Sequence, residues 1–130
     1  MSAPAVEHTA TAAEAIRAFN HATAPRSNAH FAWPSEADSA VGELQLLAAR
    51  LPQALRQIAS WLTDAAAAGR VGHDDPEVHV GVAIAAALDA LDDAVQDATW
   101  LARALASARS ATNHLTGITP DDLADTEDPS

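Results

Sequence analysis

Two groups of residues in this chain have the types and the spacing to do chemistry. The first is the run His73, Asp74, Asp75, Pro76, Glu77, Val78, His79. Imidazole and carboxylate donors that close together can hold zinc or manganese. The second is Asp89, Asp92, Asp93 and Asp97, spaced to fall on one side of a helix, where paired carboxylates can hold magnesium. A third feature is Trp100, one turn from Asp93 and Asp97 with Arg103 beside it, set outside the apolar pattern of its helix. A tryptophan so placed is either packed under a neighbouring segment or an anchor for a partner.

Each chemical reading meets a simpler one. Asp74 and Asp75 are good helix caps, Glu77 complements a helix dipole, and solvated histidines need no ligand. A His-Asp pair occurs in metal-dependent phosphohydrolases, but those draw further ligands from other helices, and no remaining histidine here sits in a comparable motif. Helical nucleotide pyrophosphohydrolases use carboxylate pairs three apart on two helices. Asp89 and Asp92 fit one pair, whereas the facing stretch offers Arg50, Gln53, Arg56 and Gln57. A solvated acidic face neutralised by arginine is the better account. We therefore expect no catalytic residue, no cofactor and no metal site.

The elements that must position these groups are helices. The stretch from Pro76 to about Leu115 contains no further proline and repeats Ile84, Leu88, Leu91, Val95, Ala98, Ala102 and Leu105 at steps of four and three. Asp74 and Asp75 are expected to cap it and Gly117 to end it in a left-handed turn, giving a rod of roughly 55–60 Å. A second long helix, 36–68, carries Val41, Leu44, Ala48, Leu51, Leu55, Ile58, Leu62 and Ala65 as a heptad, widened by Leu47, Ala54 and Trp61. Pro52 predicts a kink, Gly69 a stop, and Ser35 with Asp38 a capping box. A short helix over 12–23 starts at a Thr11–Glu14 box, and Phe31 and Trp33 in the following loop are aromatic because they cover something. Residues 1–10 are expected to be disordered and 117–130 to form a mobile acidic tail.

A short turn near residue 72 makes the two long helices an antiparallel hairpin in which partners' numbers sum to roughly 145. That register sets Glu36 against Arg109, Glu43 against Arg103, Arg50 against Asp93 or Asp97, and Arg56 against Asp89. The expected fold is thus all-α: a long hairpin with a short N-terminal helix, one domain over 11–116, completed to a four-helix bundle by dimerisation. The apolar width beyond one seam, with Leu47, Trp61 and Leu101, is the reason for the second copy.

Composition narrows the function further. The formal charge is −11, there is no cysteine, and all seven basic residues are arginine. This argues against nucleic-acid binding, anionic membranes, disulfides and thiolate chemistry. The first 30 residues lack a basic start followed by an apolar run, and the most apolar window stops at Asp89, so a cytoplasmic protein is expected. The chain resembles small alanine-rich helical proteins of unassigned function common in actinobacteria, especially over Leu46–Leu62 and Val71–Asp75. That resemblance implies no activity. The WXG-type secreted hairpins share the outline, but their Trp-x-Gly turn is replaced here by His73-Asp74-Asp75. The expected function is a non-enzymatic interaction module that binds itself. The alternatives are an acidic inhibitor or antirepressor-like protein meeting a basic partner through Asp89, Asp93 and Asp97, and a metal-dependent phosphohydrolase.

Overall fold

A computed structural model describes residues 4–25 and 31–126. The described chain is helical, with α1 (Pro4–Ala22), α2 (Pro34–Ala67), α3 (Val80–Thr112) and α4 (Pro120–Thr126), and without a strand among the described residues. The expectations for 1–3, for 26–30 of the aromatic loop and for 127–130 of the acidic tail lie outside those residues. Two compact units divide the chain, one of 1–37 with 116–130, the other of 38–115.

In the first unit the N-terminal helix starts at Pro4, not near residue 12. Proline suits the first helical position because its missing N–H has no partner there anyway. The Thr11–Glu14 box does not form. Thr11 instead donates its hydroxyl to the Glu7 carbonyl at 2.9 Å, and Glu14 pairs with Arg17 at 2.7 Å. The guanidinium holds the Glu14 carboxyl below its ordinary range. Phe31 packs on Phe19 with ring centroids 6.2 Å apart, which gives the loop aromatic its contact. The Trp33 ring occupies the space that a side chain at Gly117 would need. Gly117 is therefore required by close approach, not by a left-handed backbone; Gly69 is the only glycine with positive φ among the described residues.

The 117–130 stretch is helical in part. Thr119 caps α4: its hydroxyl accepts the Asp122 N–H at 3.1 Å, and the Asp122 carboxylate accepts the Thr119 N–H at 2.9 Å. The Thr119 N–H foremost, and then the Thr119 hydroxyl, which donates to the same carboxylate at 2.8 Å, keep the Asp122 carboxyl below the ordinary carboxylate range.

In the second unit α2 and α3 form an antiparallel pair. The residues they bury fully are small: Ala48, Ala65, Val95 and Ala98, together with Gly42 and Pro52. Small side chains let two backbones approach closely. The α3 pattern Ile84, Leu88, Leu91, Val95, Ala98, Ala102, Leu105 is wholly buried or half-buried. Helix α2 is continuous through Pro52, whose ring is buried. At its end Gly69 adopts φ 71°, the Arg70 N–H reaches the Ala65 carbonyl at 2.9 Å, and the Gly69 N–H reaches Ala66 at 3.0 Å. That pair of bonds is the Schellman stop. No atom lies near the space a side chain at 69 would take, so Gly69→Ala is expected to cost only the backbone term, about 1–2 kcal/mol. A urea titration with an unchanged slope would read it.

Helix α3 opens at Val80 rather than Pro76. Asp75 to Val78 close a turn, with the Val78 N–H on the Asp75 carbonyl at 3.1 Å and the Glu77 N–H on the Asp75 carboxylate at 3.0 Å. Proline after aspartate suits the second position of such a turn as well as it suits a helix start. His79 precedes the helix in an extended conformation without a side-chain cap. At the other end α3 closes at Thr112, with Asn113 as its cap.

The longer connection alters the register. Gln45 and Ala106, Ala49 and Ala102, and Pro52 and Thr99 line one groove between the helices, so facing numbers sum to about 151, not 145. The four expected charge pairs do not form. The interhelical ion pair is Asp38–Arg109 at 3.5 Å, and Asp38 also accepts the Thr112 hydroxyl at 2.7 Å. Arg109 lies across Gly42, filling the space of its absent side chain. The Ser35–Asp38 box fails for the same reason: Asp38 is engaged elsewhere, and the Glu36 carboxylate accepts the Ala32 N–H at 3.1 Å.

Candidate interaction surface

The hairpin of the second unit has two unlike sides. With successive residues turned by about 100°, Leu47, Ala54, Ile58 and Trp61 leave α2 on one side of the seam. Ala87, Ala90, Ala94 and Leu101 leave α3 on that same side. Gln45, Ala49, Thr99 and Arg103 lie on the opposite side, where they line the groove already described. The first side is apolar and open. Ile58 is 51 %, Trp61 61 % and Leu101 47 % exposed, while Leu47 is half-buried. Scattered exposed leucines are ordinary on a protein surface; a contiguous row of large ones is not.

Arg70 lies over the Trp61 ring at 6.0 Å from its centroid, at the edge of this row. Ile58 belongs to this open side rather than to the seam, where Ala59 takes its place.

Trp100 stands elsewhere. It is 65 % exposed and shares its azimuth with Val82, 67 % exposed, on the back of α3 opposite the seam. Asp89 and Asp93 fall between them on that ridge, and Asp97 flanks it; all three are exposed. Arg103 covers the Trp100 ring at 5.2 Å from its centroid. The ridge therefore joins two bare apolar side chains to a row of carboxylates. Sequence reasoning missed Val82, although a spacing of eighteen residues, five full turns, marks it.

The histidine–carboxylate run is a surface turn. The His73 Nδ1 accepts the Asp75 N–H at 2.9 Å and lies 3.3 Å from an Asp74 carboxylate oxygen. The His73 Nδ1 and an Asp75 carboxylate oxygen are thus turned onto the local backbone. Among the described residues no group of three or more His, Asp or Glu side chains is disposed to share a metal ion.

No described helix is long and apolar enough to cross a membrane. No family model matches the chain, and neither a curated protein nor a solved structure matches it.

Proposed function

We propose that this chain is a non-enzymatic helical interaction module that associates with a second copy of itself. The observation that carries the reading is the open row of Leu47, Ile58, Trp61 and Leu101 along one side of the α2–α3 hairpin. The side chains that the seam buries fully are small, Ala48, Ala65, Val95 and Ala98, while larger ones such as Leu55 and Leu91 are only half-buried. Full burial of each large apolar side chain adds about 1.5–3 kcal/mol, so covering this row supplies what the seam lacks. Two hairpins joined on these sides make a four-helix bundle. Sedimentation equilibrium over a hundredfold range of concentration tests it. A dimer whose melting temperature rises with concentration is expected; a cooperatively melting monomer at high micromolar concentration would sink it.

A second reading rests on the α3 ridge. Val82, Asp89, Asp93 and Trp100 combine negative charge with exposed apolar anchors, which suits a partner with a basic, partly apolar surface. Capture through this ridge would weaken with salt and with Trp100→Ala, and would leave the mass of the free protein unchanged.

A further inference from the structure

The geometry points to a dimer whose two-fold axis runs along the helices, so that α2 of each copy packs on α3 of the other; this rests on the self-association just proposed. Two arrangements can bring the open sides face to face with two-fold symmetry, since the axis must lie in the plane between them. With the axis along the helices, α2 meets the partner's α3 at the same level. With the axis across them, α2 meets α2 and α3 meets α3, reversed in direction.

Size decides first. Facing residues sum to about 151, so Ile58 and Trp61 lie level with Ala90 and Ala94 on α3. The lengthwise axis sets these two large side chains over the partner's alanines, and Leu47 within a turn of the partner's Leu101. At the level of Ile58 and Trp61 bulk then meets small side chains, as close packing requires. The crosswise axis stacks bulk on bulk along the α2 seam and alanine on alanine along the α3 seam, which leaves one crowded and the other hollow.

Charge decides the same way. Asp97 is exposed, flanks this side of α3, and makes no ion pair among the described residues. It lies level with Ala54, the midpoint of the apolar row. The crosswise axis brings the two Asp97 carboxylates together beside the dyad, where like charges repel. The lengthwise axis places each against α2 of the other copy, a turn from Arg50, which is also without an ion pair.

The chain has no cysteine, so single thiols report the arrangement directly. Ala54→Cys and Asp97→Cys are made separately, oxidised alone and as an equimolar mixture, and run on a non-reducing gel beside sedimentation of the reduced proteins. Expected is a covalent dimer from the mixture, identified by mass as one chain of each kind, with no more than a trace from either variant alone. Efficient self-linking of Asp97→Cys would overturn the lengthwise axis while leaving self-association intact. Reduced dimers that never cross-link in the mixture would also overturn it. Monomeric reduced proteins, with the unsubstituted chain monomeric too, would remove the self-association itself.

Discussion

Leu101→Asp is expected to dissociate the protein. Leu101 is 47 % exposed in the single chain, so about half of its surface is left for a second copy to cover. At a two-fold interface the change is felt twice. Losing about half of the 1.5–3 kcal/mol of a full burial at each site corresponds to roughly 10–10²-fold in the dimer dissociation constant, before the cost of burying charge is added. Sedimentation should then show a monomer across the micromolar range, with a lower melting temperature that no longer depends on concentration. Leu101→Asp that leaves the mass of a dimer unchanged would place the interface on another side of the hairpin.

The second large effect is expected inside the seam. Ala48 is 1 % exposed, and Ala48→Leu forces three further carbon atoms between helices held together by small side chains. Overpacking of this kind costs about 1–3 kcal/mol, and more where the backbone must move. For a hairpin of this size each 1 kcal/mol lowers the melting temperature by roughly 4–8 °C. Ala104→Leu is the control, since Ala104 is exposed on α3 and leucine is a good helix former. A thermal melt should separate the two variants widely. Equal melting temperatures would mean that α2 and α3 stand farther apart than the structure has them.

The parts of the fold legible in the sequence are those written by periodicity over many residues. The α3 pattern from Ile84 to Leu105 repeats often enough that one misplaced residue cannot obscure it, and each of its members faces inward. Element ends rest on one or two residues and read less well. Asp75-Pro76 starts a helix or a turn with equal ease, and here it makes a turn. Gly69 and Gly117 look alike in sequence, yet one supplies a left-handed stop and the other makes room for Trp33.

The charge register misled for a related reason. In an alanine-rich chain with acidic residues at many levels, several offsets bring opposite charges together. Which offset forms depends on the length of the connection, and that was set by the Asp75 turn. The exposed row was half legible: Leu47, Trp61 and Leu101 stand out as surplus to a single seam. Ile58 did not, because its heptad position assigned it to the interior.

One consequence follows from alanine's filling most of the buried hydrophobic positions of the seam. An alanine side chain has no rotamers to freeze, so its burial carries no side-chain entropy cost, and α2 and α3 can zip together cheaply. Where alanine meets alanine, the fit is nearly as good one turn further along, so those levels alone do not fix the alignment. Alignment must then be held by something that cannot slide. Asp38, with Arg109 and Thr112 both on its carboxylate, is a latch at one end of that track, and it adds to the connection and to the larger half-buried side chains in giving the two helices one position.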